Sequence, residues 1–194
     1  MPGVTTASVV VDFLHYKSQS NGLECPLIHV EGLHSDQSSI PVIQDALRKM
    51  TSEVEYQYQL RTNGLDMMDI LHVTPDTAFS TFHRVVNQIF YNSFNLNVSH
   101  NGIQPSWGRI VSLLTFSGNL VIHCIQNEMP QLVQQIAQWT ISYIDTYLLG
   151  WINSHGGWMG IISPASPLVC WKNILGLAAL AGMTALVMLH VHSR

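Results

Sequence analysis

Cysteine and histidine are the side chains here that could ligate metal or attack a substrate, and their spacing speaks against both. Cys25, Cys124 and Cys170 are odd in number, far apart and without C-x-x-C spacing. Neither a disulfide framework nor a zinc knuckle is read from such a pattern; reduced, mostly buried thiols in a cytosol-facing protein account for it. Of the ten histidines only His190 and His192 are closely paired, and no metal site is expected. Ser-His-Asp, H-E-x-x-H and phosphate-loop patterns are missing. From Val85 to Trp171 the only side chains expected to be ionised are Arg109, Glu128 and Asp145, too few for acid–base work. The chain therefore reads as a non-enzyme without a cofactor, and the chemistry left to it is binding.

Composition sets where that binding happens. The 194 residues are 47% hydrophobic and only 10% charged, against about 25% charged in an average globular protein. Such a chain hides apolar surface efficiently or shares it with a membrane. Net charge is −4 with Lys and Arg scattered, so the basic footprint of a nucleic-acid binder is missing. The length suits one domain large enough to bury a core unaided.

Hydrophobic spacing is helical throughout, and the fold class expected is all-α. A first helix is read over about 8–19, with Val10, Phe13, Leu14 and Lys17 on one side and Gly22 as its stop. Residues 20–40 read as a loop. A second helix spans about 41–60, opened by Pro41, with Ile43, Leu47, Met50, Val54 and Tyr58 in one apolar stripe. A short helical segment near 65–71 follows. Thr74-Pro75 then reads as an N-cap and first helical residue, opening a helix that carries Phe79, Phe82, Val85, Val86, Ile89 and Phe90. Two strongly apolar helices, about 107–126 and 130–152, are joined by the tight link Asn127-Glu128-Met129-Pro130 and should form an antiparallel hairpin. A helix apolar on nearly all sides must be wrapped by other helices or enter lipid. Gly156-Gly157 reads as the end of the second one.

Three parts are expected: a helical domain over 1–163, a linker over 164–173 broken by Pro164 and Pro167, and a transmembrane anchor over 174–191. The anchor reads ILGLAALAGMTALVMLHV, with no carboxylate, Lys or Arg. At 1.5 Å per residue it would reach about 27 Å, close to the hydrocarbon thickness of a bilayer. Trp171 and Lys172 before it and Arg194 after it suit the two interfaces. No signal peptide is read at the N-terminus, where Asp12 interrupts the short apolar run Val9–Val11. A span so placed predicts insertion after synthesis, with the domain left in the cytosol.

Four segments resemble motifs of the Bcl-2 family, in that family's order. SWGRIVSLLTFSG (106–118) looks like its first homology motif and WINSHGGW (151–158) its second; VVDFLHYKSQ (10–19) is similar to the fourth, and residues 43–58 match the third. The resemblance implies a helical bundle around a hydrophobic central hairpin. It also implies an elongated groove that takes an amphipathic BH3 helix. Carried over by motif, the groove residues are Val54, Tyr58, Phe82, Val85, Ile89, Trp107, Gly108, Arg109, Val111 and Phe116. Arg109 would meet the Asp that BH3 ligands of this family carry, through charge-assisted bonds. Partners implied are BH3-containing proapoptotic proteins, both Bax/Bak-like and BH3-only, with homo- or heterodimers open. The site implied is the mitochondrial outer membrane, with the endoplasmic reticulum as the other candidate.

The family contains prosurvival members and pore-forming effectors. The run LHVTPDTAFSTFHRVVNQIF (71–90) and the well-formed fourth motif favour the first; LLGWI (148–152) and MPQLVQQIAQWT (129–140) look somewhat Bax-like. Prosurvival is the reading taken. Two departures from the pattern matter. Thr51-Ser52 stands where Gly-Asp is usual, and Ser106 stands where Asn is usual, which leaves the contact made by that Asn in question.

Overall fold

A computed structural model describes residues 4–26, 28–30, 39–64, 66–91 and 102–162. The linker and anchor expected over 164–191 lie outside the described residues, as does Cys170. Among the described residues every regular element is helical: α1 (Thr6–Ser20), α2 (Ile40–Thr62), α3 (Met67–Leu71), α4 (Ala78–Phe90), α5 (Trp107–Gln126), α6 (Gln131–Tyr143) and α7 (Leu149–Ser154). This agrees with the all-α reading.

Local chemistry sets the helix ends. Thr5 Oγ1 accepts from the Ser8 amide and caps α1. At the other end Gly22, at φ 70°, lets Leu23 N donate to Ser18 O and Gly22 N to Gln19 O, which closes the last carbonyls. The helix expected to open at Thr74-Pro75 begins instead at Ala78, with Thr77 at its N-cap; Thr74 closes the preceding turn, its Oγ1 accepting from Thr77 N, its N donating to Thr77 Oγ1 and its O accepting from Ala78 N at 2.9 Å. Ser106 Oγ accepts from Arg109 N at 3.3 Å and caps α5. Ser and Asn are comparable N-caps, so the substitution at 106 keeps the helix start.

Helix α5 runs through the centre, and α1, α2, α3, α4 and α6 all pack on it. Ile110, Leu113, Leu114, Phe116, Leu120 and Val121 are fully buried. Each such side chain stabilises the fold by about 1.5–3 kcal/mol relative to exposure. The hairpin to α6 turns where expected, with Glu128 at φ 60° and Met129 N bonded to Cys124 O at 2.8 Å. Inside it Ser117 and Thr140 hydroxyls meet at 2.8 Å, satisfying two polar groups in the core. The segment after α1 crosses to α6, where His29 exchanges two hydrogen bonds with the Gln134 amide.

One correction falls on the second hairpin helix. It is not a uniform α-helix over 130–152: residues Ile144–Leu148 form a π-helical stretch between α6 and α7. Thr140, Ile144, Leu148 and Ile152 are all buried, and their spacing is a strict four. On a regular helix each such step drifts by about 40°, so the wider turn holds the row on the core side. After Gly156, at φ 90°, a 3₁₀ turn over Gly157–Ile162 tucks Trp158 and Ile161 inside.

Candidate functional site

The site is built around the first turn of α5. Arg109 is only 7% exposed. Its Nη1 donates to Gln104 O at 2.7 Å, and to Phe90 O and Gln104 Oε1 at 3.3 Å each. Phe90 is the last residue of α4, so the cation answers the partial negative charge at that helix end. No carboxylate pairs with it among the described residues. Burial pushes the guanidinium down from the usual arginine range without bringing it near neutrality.

Trp107 points elsewhere. Its ring stands 5.3 Å from Trp151 and 6.2 Å from Trp158, tying the start of α5 to α7 and the 3₁₀ turn. Gly108 is half-buried, and its carbonyl accepts from Ser112 Oγ. Val111 on α5 and Phe82, Val85 and Ile89 on α4 are buried in the core. Phe82 and Phe116 pack ring to ring at 6.0 Å, and Phe82 also meets Trp139 of α6 at 5.6 Å.

Val54, Tyr58 and Phe116 line one cleft of about 430 Å³. It lies between the ends of α1 and α2, the short α3, and the second half of α5. Asp66 caps α3 by accepting from Met68 N at 2.8 Å, which places Met67 and Met68 on the same wall. Methionine suits a surface that must adapt to another side chain. Burial, aided by the nearby Asp66 carboxylate and opposed by a hydrogen bond with Thr62, pushes the Tyr58 phenol up to about 12. Tyr58 therefore stays neutral at any physiological pH.

Of the ten residues carried over by motif, three line this cleft, Phe82 backs it through Phe116, and Arg109 and Trp107 hold the start of α5. The motif reading missed Met67, Met68, Asn119, Ile122 and His123 in the lining. A signal existed for some of them: Phe116, Asn119, His123 and Gln126 follow one another at helical spacing along one face.

A sequence model of the Bcl-2 family, described as apoptosis regulator proteins, matches residues 47–158. The chain belongs to the Bcl-2 family. It is 36% identical to Bcl-2-like protein 1 of Rattus norvegicus and of Homo sapiens over 116 residues, 60% of this chain and 44% of each relative. It is 30% identical to apoptosis regulator Bcl-2 of Canis lupus familiaris over 155 residues, 77% of this chain and 60% of that one. The matched regions thus span about half the length of these relatives. The chain is homologous to both of these family members. In the Bcl-2 frame the fourth motif is most of α1, the third lies within α2, the first opens α5, and the second runs from within α7 to the first two residues of the 3₁₀ turn. The fourth lies outside the 47–158 match, yet the fold seats it directly on α2 and α5.

Proposed function

We propose that this protein is a prosurvival Bcl-2 family member that captures BH3 helices of proapoptotic relatives, Bax/Bak-like and BH3-only, and restrains mitochondrial outer-membrane permeabilisation. The observation that carries the reading is the cleft where third-motif residues Val54 and Tyr58 face first-motif Phe116. An amphipathic helix would lay apolar side chains against Val54, Met67, Met68 and Phe116, with Glu55, Asp66 and His123 of the same lining meeting its polar edge. The ligand's Asp would then meet Arg109, whose three bonds all go through Nη1 to neutral oxygens. Val54, Phe82, Val85, Ile89, Val111 and Phe116 are covered by the packing of α2 and α4 on α5, so capture requires those helices to shift outward along the groove. The ten motif residues remain the proposed contact set, with Tyr58 and Gly108 half-buried and the other eight buried. The sequence over 174–191 would anchor the domain to the mitochondrial outer membrane, with the endoplasmic reticulum as the other destination.

The inward-facing stripe of α2 supports prosurvival over effector. Ile43, Leu47, Met50 and Val54 are all buried within the domain, and Thr51-Ser52 lacks the Asp with which an exposed third motif would engage another groove. One observation favours the effector reading instead: α5 is 20 residues long with a mean hydropathy of 1.4, enough by length and composition to cross a membrane. It is also the central core helix, and 72% of that stretch is buried, which is the ordinary state of such a helix. Isolated mitochondria treated with an activating BH3 peptide, with and without the protein, decide between the two. Suppressed cytochrome c release is the outcome expected. Enhanced release would replace the prosurvival reading with the effector one.

A further inference from the structure

Helix α1 holds α2 by three polar ties that run in the same order along both helices. Gln44 Nε2 donates to Val9 O at 3.1 Å, the Arg48 guanidinium lies 4.0 Å over the Tyr16 ring, and Lys17 Nζ meets Glu55 Oε1 at 2.5 Å. The third tie is unlike the other two. Lys17 is 8% exposed, an unusual depth for a lysine, and its stem crosses α5 at Gly118. A Cβ at 118 would stand 2.8 Å from Lys17 Cγ, so the glycine that ends the first motif is what admits the lysine. Glu55 sits between Val54 and Tyr58 on α2, and all four side chains border the same cleft.

We infer that Lys17 is a positioning residue for the binding cleft: acting through Glu55, it holds the Val54–Tyr58 segment of α2 in the geometry that receives a BH3 helix. The inference rests on the proposed capture of BH3 helices. Without the tie the end of α2 samples other positions, and the ligand must bind the fraction that remains competent. The effect is on affinity rather than on whether the domain folds. Glu55 is partly exposed, with its side chain 29% accessible, and can be solvated when it loses its partner.

The test uses the full-length chain, a labelled BH3 peptide that carries the family Asp, and a double-mutant cycle of Lys17→Met and Glu55→Gln. Each single substitution should weaken capture about tenfold, a typical coupling magnitude. The double variant should be no weaker than either single one, because both remove the same tie. Hydrogen exchange at the amides of residues 54–58 should quicken in all three variants while α6 stays protected. Unchanged affinity in the folded variants, or additive losses, overturns the inference. If the wild-type chain binds no BH3 peptide, the capture reading falls instead. The exchange data then decide the role of Lys17 alone, and unaltered protection of residues 54–58 overturns it.

Discussion

Arg109 Nη1 lies 2.7 Å from the main-chain oxygen of Gln104, so the cation carried over as a ligand contact also pins the segment that leads into α5. The proposed ligand contact and this structural one can be separated. Arg109→Asp would set a carboxylate against the Phe90 and Gln104 oxygens and would disturb the fold as well as the charge. Arg109→Gln keeps an N–H donor for those oxygens and removes the charge alone. A charge-assisted hydrogen bond contributes about 1.5–3 kcal/mol, so Arg109→Gln should weaken an Asp-bearing BH3 peptide about tenfold or more. The same peptide with Asn for Asp should bind both proteins equally. Fluorescence anisotropy on the four combinations reads this directly; an equal loss for both peptides would mean that Arg109 acts only through the fold.

Thr51 carries the second prediction. It is 3% exposed, and its hydroxyl has no hydrogen-bond partner among the described residues. A buried hydroxyl left unpaired costs about 1–3 kcal/mol, and alanine is also the better helix former. Thr51→Ala should therefore stabilise the protein by about 1 kcal/mol in chemical denaturation. A synthetic peptide of residues 43–58 should bind a relative's groove poorly, and restoring Gly-Asp at 51–52 in that peptide should create binding. Submicromolar affinity of the unaltered peptide would sink the idea.

Gly160 is held by contact with the backbone. A Cβ there would lie 1.9 Å from His155 O and 3.0 Å from the Trp107 ring, and no rotamer change relieves a clash with a carbonyl. Gly160→Ala should detach the 3₁₀ turn Gly157–Ile162 and uncover Trp158 and Trp107. Red-shifted tryptophan emission with retained far-ultraviolet helicity is the expected outcome. Unchanged emission would mean that the turn has an alternative seat.

Much of this architecture is written locally. Ser106, Gly22 and the Asn127–Pro130 link each carry their own stop or start chemistry, and α5 spans 107–126 as its pattern predicts, whereas Thr74-Pro75 forms a turn ahead of a helix that starts at Ala78. The π-helical stretch was also written, in the strict four-residue spacing of Thr140, Ile144, Leu148 and Ile152, but that spacing passes for helical unless its drift is followed. What no local pattern carries is the pairing of residues far apart in sequence. Lys17 and Glu55 are 38 positions apart, and only the packing of α1 across Gly118 brings them together. Motif matching named Val85, Ile89 and Val111 as groove residues, yet whether they face ligand or core depends on how closely α4 sits on α5. That closeness is set by the contact of Phe82 with Phe116 and Trp139, which is tertiary.

Tyr58 makes the last prediction, on alkaline stability. Its phenol is raised from 10.0 to about 12 in the folded protein, while an unfolded chain has the ordinary value. Between those limits the folded state holds a proton that the unfolded state has released, so the contribution to stability is complete below pH 10 and falls as pH rises towards 12. Tyr143, buried and near Tyr91 and Tyr147, is raised for the same reason and acts in the same direction. Denaturation midpoints measured across that window should decline in the wild type and decline less in Tyr58→Phe. Absorbance at the tyrosinate band should show at least two residues ionising late in the folded protein and with the others after unfolding. If Tyr58 ionised together with the exposed tyrosines while the domain stayed folded, its hydroxyl would be open to water rather than buried in the α2 wall of the cleft.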